Sequence, residues 1–437
     1  MIAAVLRAVR SPFTLWIAFI AAHLWLGLLN LYGPGYPMGD VTSVYKFWVD
    51  QLLINDFQVG VDSQWVYPIL AFVPMIAAMA FGAAFYASTW LSLVMALNAV
   101  AFGLLTGWGR NRSHTAIGWW WVLFLVLLGP IAFGRIDSIT VPLAMIGVLL
   151  LSRHPRAAAL ILTIATWIKV WPAALLAAIV VASRDRIRVV IVGAASSAVI
   201  ILVTLSLGSG SNVFSFVTQQ TGRGLQVESP ISTIWMWMAA SGVPGAVVGY
   251  NNAILTYQVD GPGSELAAAL MTPLLGVAAL VLCVLGGLAV RRGVTELELL
   301  PPLALALVTA FIVFNKVGSP QFESWLAVPV ILGLVVAREG GLSFRTPAVL
   351  VLVIAVLTQV IYPVLYAYLL ALNPVMLIVI SARNLLLVAL LAWAVVAVIR
   401  LYRGDLHADV RETAGPPTSW PLSDDRRDDA LRETPAP

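Results

Sequence analysis

Apolar runs follow one another almost from end to end of this 437-residue chain, and most of the charge between them comes as small arginine clusters. With 60% of residues hydrophobic and 11% charged, there is too little polar surface to wrap a water-soluble core of this size. A bilayer removes the difficulty. A crossing needs about 20 mostly apolar residues, and a helix meets its backbone hydrogen bonds within one such run. The pattern therefore predicts an all-α polytopic membrane protein. Runs at 12–32, 69–88, 89–108, 116–132, 138–151, 157–168, 171–183, 189–207, 267–290, 297–314, 325–337, 346–368 and 375–402 predict roughly 11–13 spans. Several are shorter than a full crossing, so they must be tilted, re-entrant or covered by neighbours.

Arginine clusters orient the spans. Cytoplasmic connections are rich in Lys and Arg, which places Arg110/Arg112, Arg153/Arg156, Arg184/Arg186/Arg188, Arg291/Arg292, Arg338/Arg345 and Arg400/Arg403 inside. Arg7 and Arg10 put the N-terminus there too, and the first run reads as a retained anchor rather than a cleaved signal. One conflict follows: if both 69–88 and 89–108 cross, Arg110 and Arg112 fall outside. Residues 1–403 read as one transmembrane domain with two larger external loops, 33–68 and 208–266. The charged, Pro-rich stretch 404–437 reads as a disordered cytoplasmic tail. Cys283 is the one cysteine, so no intrachain disulfide forms, and the net charge of +4 gives no footing for a nucleic-acid partner.

With the arginines inside, the remaining polar features gather at the opposite ends of the runs. Intramembrane charge is costly and faces a cavity or a partner. Arg135, Lys169, Lys316 and Arg383 stand at or near these outer ends. Four convergent cations suit a lipid-linked phosphate. Three have a plainer reading: Lys316 and Arg383 as snorkelling anchors, and Arg135 as the partner of Asp137; Lys169, between two short runs and before a Trp-Pro break, looks less like an anchor. Group transfer to a hydroxyl needs a general base, and a carboxylate at a cavity mouth can be one. Asp40 follows Gly39 just beyond the first span; its plainer reading is a cap or turn residue. Asp50, Asp56 and Asp62 lie in 46–62, which reads as a surface helix with its charges in water. Glu228 and Glu323 are further external acids among Gly, Gln, Ser and aromatic residues, a set that holds sugars. Trp235 and Trp237 follow the first of them, although Trp also forms ordinary interfacial belts.

Together these residues resemble the GT-C superfamily of membrane glycosyltransferases, and within it glycosyltransferase family 87, the actinobacterial polyprenyl-phosphate-mannose-dependent mannosyltransferases. The resemblance covers about residues 12–400. Gly39-Asp40, with Tyr45 five residues on, matches the acidic first external loop. Tyr67-Pro68-Ile69 keeps half of a Tyr-Pro-Pro opening to the second span. Gly134-Arg135-Ile136-Asp137 stands where the family pattern has Gly-Gln-x-Asn, with both polar positions changed. Lys169-Val170-Trp171-Pro172 matches Lys-x-x-Pro, and Ser319-Pro320-Gln321-Phe322, followed by Trp325, matches Ser-Pro-Gln-aromatic.

The resemblance implies an inverting transfer of a sugar, mannose by analogy, from polyprenyl phosphate to a glycolipid or lipoglycan on the extracytoplasmic face of the cell membrane. Asp40 would be the base. Arg135, Lys169, Lys316 and Arg383 would hold the donor phosphate. Tyr45, Tyr67, Asp137, Arg223, Glu228, Gln321 and Glu323 would line the substrate site. No metal and no cofactor is implied. A transporter or lipid flippase would place its charges mid-span, at a repeat interface. A polysaccharide ligase would carry an Arg- and His-rich external loop, whereas 208–266 has one Arg and no His.

Overall fold

The computed structural model describes residues 11–252 and 254–405, the side chains of 220 and 221 excepted. Arg7, Arg10 and the expected tail beyond 405 lie outside the described residues. Helices run α1 Pro12–Tyr32, α2 Lys46–Asn55, α3 Phe72–Ala77, α4 Tyr86–Thr106, α5 Thr115–Leu128, α6 Asp137–Leu150, α7 Pro155–Ile168, α8 Ala173–Ala182, α9 Arg186–Ser206, α10 Ser215–Thr221 and α11 Thr233–Ala240. After the hairpin β1 Val247–Asn251 and β2 Thr256–Asp260 come α12 Ser264–Arg291, α13 Glu296–Val313, α14 Ala327–Arg338, α15 Arg345–Ile361, α16 Tyr366–Leu370 and α17 Pro374–Arg403. The protein is an all-α polytopic membrane protein with little strand.

Eight helical segments are long and apolar enough to cross a bilayer among the described residues: Pro12–Tyr32, Ala83–Gly109, Arg112–Ala132, Arg186–Ser206, Ser264–Arg291, Glu296–Val313, Pro320–Arg338 and Pro374–Arg403. Four more apolar helices, α6, α7, α8 and α15, have 10 to 17 residues. At 1.5 Å per residue they reach only about 15–25 Å, short of the roughly 30 Å hydrocarbon core. The expected 11–13 spans thus divide into full-length and short helices. The short ones sit among neighbours: α6 packs on α7 and α4, and α8 on α13. By contrast, α9 and α12 keep apolar faces uncovered, including Ile191, Leu202, Leu266 and Leu280.

Residues 69–88 are not one span. A turn at Ile69–Ala71, the six-residue α3 and a second turn at Ala83–Phe85 break the run, and one long helix follows. Only that helix is long enough to cross, so Arg110 and Arg112 stand at its far end and the conflict in charge orientation disappears. Helix ends are set locally. Pro12 and Pro374 occupy first-turn positions where no amide hydrogen is needed. Thr295 and Glu298 close a reciprocal capping box at the start of α13. The expected surface helix over 46–62 ends at Asn55, where Asp56 adopts a left-handed conformation and ends it.

Direction alternates along the bundle. Asp137 opens α6 and Arg153 follows its other end; Arg156 lies in the first turn of α7 and Lys169 caps its last. Gln321 and Glu323 begin the segment that Arg338 ends, and Arg383 lies in the first half of α17, which Arg400 and Arg403 close. Every nominated site residue on these helices is thus toward the end away from the arginine clusters. A second layer covers that end. Leu225, Val227, Trp235, Met236 and Val259 from the 208–266 loop pack on Ile361, Leu369, Leu377 and Ile380. The hairpin, paired from Val247↔Asp260 to Asn251↔Thr256, belongs to this layer.

Candidate active site

Asp40 opens a short π-helical turn, Asp40–Tyr45, a form of backbone found at functional sites. Its Oδ2 meets Arg135 Nε at 3.0 Å. Arg135 is fixed on its other sides. Its Nη1 donates to the carbonyls of Pro37 and Gly134, both at 2.7 Å, and its Nη2 to the Tyr362 hydroxyl at 2.7 Å. Burial works against the Arg135 charge, but Asp40, Tyr362 and Tyr45 outweigh it and hold the guanidinium more firmly protonated than usual. Gly134 must be glycine here, because a Cβ would lie 2.6 Å from the Pro37 carbonyl oxygen. The Tyr45 hydroxyl accepts from the Ile136 amide at 3.2 Å and ties the π-turn to the same loop. Arg135 therefore pairs with Asp40, not with Asp137. The two neighbours on the 134–137 turn point to different partners.

Asp137 meets Lys169 Nζ at 2.7 Å and accepts from Trp325 Nε1 at 2.6 Å, which occupies both carboxylate oxygens. Lys169 lies over the rings of Phe322, Trp325 and Tyr67, at 4.9, 5.8 and 5.8 Å from their centroids. Trp171 stacks on Trp325 at 5.4 Å and donates to Thr140 at 2.9 Å. The motifs at 134–137, 169–172 and 319–325 thus meet around one ion pair. Gln321 stands on the same turn as Phe322 and Glu323, accepting from Ser319 Oγ at 2.7 Å.

A third charge group lies deeper. Arg383 donates to Glu228 Oε2 at 2.9 Å and to the Glu228 carbonyl at 2.6 Å, and its Nε donates to Asn384 Oδ1 at 3.1 Å. Glu323 Oε1 stands 3.7 Å from Arg383 Nε, and Glu323 Oε2 is buried with no hydrogen-bond partner among the described residues. Burial raises the Glu228 carboxyl above its ordinary value, against the pull of Arg383. Gly318 lets the 314–320 loop touch the Glu228–Ser229 backbone, since a Cβ there would collide with the Ser229 nitrogen. That contact brings Lys316 alongside: its carbonyl accepts from the Gln226 amide at 3.0 Å. Burial lowers the Lys316 pKa, and Arg223 lowers it further; Arg223 is itself lowered by burial while it acts on the Tyr67 hydroxyl. Two cations share this corner.

Exposure separates the four acids. The Asp40 side chain is 41% exposed, against 1% for Asp137 and 3% each for Glu228 and Glu323. Asp50 pairs with Lys46 at 2.6 Å within α2, and Asp62 accepts from the Gln58 amide at 2.7 Å, so both serve local structure.

All twelve nominated residues lie at the same end of the bundle, linked through these contacts. Sequence reasoning missed Tyr362, which steadies Arg135, and Asn384, which steadies Arg383. Tyr362 closes an apolar helix and Asn384 lies inside one, and neither carries a motif. The sequence model of glycosyltransferase family 87 matches residues 65–312, taking in Tyr67, Arg135, Asp137, Lys169, Arg223 and Glu228. No curated protein and no solved structure matches the chain. The match spans more than half of the sequence and takes in members of all three charge groups, so this membrane protein belongs to glycosyltransferase family 87.

Proposed function

We propose that the protein is an inverting glycosyltransferase that moves a sugar, mannose by family analogy, from polyprenyl phosphate to a glycolipid or lipoglycan acceptor on the extracytoplasmic face of the cell membrane. The observation that carries the mechanism is the accessibility of Asp40 beside three buried acids. Asp137 has both oxygens engaged, and Glu228 and Glu323 share one guanidinium in the interior. Asp40 alone of the four combines solvent access with a fixed orientation, because Arg135 takes one oxygen and leaves the other for a hydroxyl. A base must reach the proton that it removes.

The reaction is then a single displacement. The acceptor oxygen attacks the anomeric carbon as its proton passes to Asp40. The bond from that carbon to the phosphate oxygen breaks, and the electron pair leaves with polyprenyl phosphate. The site groups five cations (Arg135, Lys169, Arg223, Lys316, Arg383) with four carboxylates (Asp40, Asp137, Glu228, Glu323). Basic side chains gathered there suit the single negative charge of a phosphodiester donor and the growing charge on its leaving group. The cations divide the task. Arg383 is 1% exposed, with its donors turned to Glu228 and Asn384, so it holds the loop. Lys169, Arg223 and Lys316 are the better placed to meet phosphate, around Tyr67.

Purified protein in lipid nanodiscs, given polyprenyl-phosphate-mannose and a mannosylated glycolipid, tests the reading. Transfer should proceed with inversion, and Asp40→Asn should abolish it while the protein remains folded. Full transfer by Asp40→Asn would remove Asp40 as the base.

A further inference from the structure

At the end of the bundle away from Asp40, two connections far apart in sequence meet in one open cleft of about 470 Å³, lined by Arg153, His154, Pro155, Arg156, Ala157 and Arg188. Its size falls within the range of small-ligand clefts, about 300–1,000 Å³. Arg153 and His154 stand in the turn after α6, Arg156 in the first turn of α7 and Arg188 in the first turn of α9. Because α7 and α9 pack side by side, the two arginine clusters converge.

The bias of basic residues toward one side of a membrane explains which end they occupy. It does not explain why Arg153 and Arg156 line a shared cleft with no counter-charge. Asp185 serves Arg188 at 2.6 Å. Glu296 accepts from the Arg184 amide at 3.1 Å, and Glu298 closes the capping box of α13. The side chains of Arg153, His154 and Arg156 make no hydrogen bond or ion pair to any described residue. Nor do they serve the helix that they flank. The start of a helix carries partial positive charge and favours acids, yet α7 has no acid in its first turn. Elsewhere at this end an arginine has a packing role: Arg292 donates to the Tyr402 carbonyl at 3.1 Å and lies 3.9 Å over the Tyr402 ring.

Beside the cleft the surface turns apolar at once. Leu160 on α7 and Val190 and Ile191 on α9 are exposed. Leu160 lies four residues beyond Arg156, about 6 Å along the axis, and Val190 two beyond Arg188, about 3 Å. The exposed face of α9 continues through Val199, Leu202 and Val203. A free anion would use the arginines and nothing more. A phospholipid uses both parts, its phosphate on the guanidinium groups and its acyl chains on α9. Basic pockets between spans bind anionic headgroups in this way.

We infer that the cleft between the starts of α7 and α9 binds an anionic phospholipid, with its phosphate between Arg153 and Arg156 and its chains along α9. Such a lipid braces the start of α7, the helix that Lys169 caps at its other end. The site does not depend on the transferase reading.

The test is native mass spectrometry and thermal unfolding of the full chain in a neutral detergent. The probes are dioleoyl phosphatidylglycerol, dioleoyl phosphatidylcholine and the deacylated headgroup glycerophosphoglycerol. One phosphatidylglycerol should be retained about tenfold more tightly than phosphatidylcholine, and it should raise the unfolding midpoint. An arginine near the surface is worth about a fivefold gain in affinity for an anionic lipid. Arg153→Gln and Arg156→Gln should therefore each weaken binding about fivefold, and the double variant about 25-fold. All of these side chains are exposed, so the variants should fold. Arg400→Gln combined with Arg403→Gln removes the same charge from another cluster at the same end and should change affinity less than about twofold. An equal loss in that control would reduce the effect to general surface charge and overturn the inference. Glycerophosphoglycerol binding as tightly as the intact lipid would make the ligand a free anion and overturn it too. So would phosphatidylcholine binding as tightly as phosphatidylglycerol, or a dimer of this chain that excludes lipid.

Discussion

Replacing Lys169 with methionine removes one half of the best-formed ion pair in the site. Methionine keeps most of the stem length, so the rings of Phe322, Trp325 and Tyr67 still have an apolar neighbour. What is lost is the ammonium 2.7 Å from Asp137, a carboxylate whose side chain is 1% exposed. Among the described residues, Trp325 Nε1, 2.6 Å from Asp137 Oδ1, is then left to donate to that charge. An uncompensated buried charge costs about 3–5 kcal/mol, whereas exchanging a whole buried pair for neutral groups is close to neutral. The lysine is 14% exposed, so the lower end applies, about 3 kcal/mol. Asp137→Asn in the Lys169→Met background removes the orphan charge and should recover about 2 kcal/mol of that loss. Transfer should not recover, because the ammonium proposed to meet donor phosphate is still absent. The assay pairs a reversible unfolding titration in mixed micelles with transfer rates for both single variants and the double. A loss below about 1 kcal/mol for Lys169→Met, or a double variant no more stable than that single, would refute the reasoning about the pair. Activity returning together with stability would show that Lys169 acts only by holding Asp137.

Tyr362→Phe keeps the ring over Arg135 and deletes the 2.7 Å hydrogen bond. The rate constant should fall by about tenfold or more, the worth of one hydrogen bond to a charged group acting through Arg135, with KM for donor unchanged; steady-state kinetics read the split. Glu228→Gln and Glu323→Gln should differ sharply in unfolding titrations. The first takes from Arg383 its 2.9 Å partner and should cost about 3 kcal/mol. The second removes a carboxylate only 3.7 Å away, with an oxygen that no described residue satisfies, and should shift stability by less than about 1 kcal/mol.

The sequence by itself determined the class of the fold. Bilayer thickness and the need to satisfy backbone polar groups leave an apolar chain few choices, and the arginine clusters carry the direction of each helix within a few residues of its end. For the same reason the site residues could be found at all: charge at membrane depth is rare enough that Asp40, Arg135, Lys169 and Arg383 stand out without a fold. The tertiary structure decided who pairs with whom. Arg135 and Asp137 are two positions apart, yet one reaches back to Asp40 and the other across to Lys169 and Trp325. Their partners come from elements far apart in sequence, brought together only when α6, α7 and the 320–326 turn pack. It decided, too, which acid stays accessible and which cation is buried as a prop, because solvent access belongs to the assembled chamber and has no local signature. The broken segment at 69–85 shows the same limit: apolar residues look alike in one dimension, and only neighbours in space distinguish a span from a fold-back.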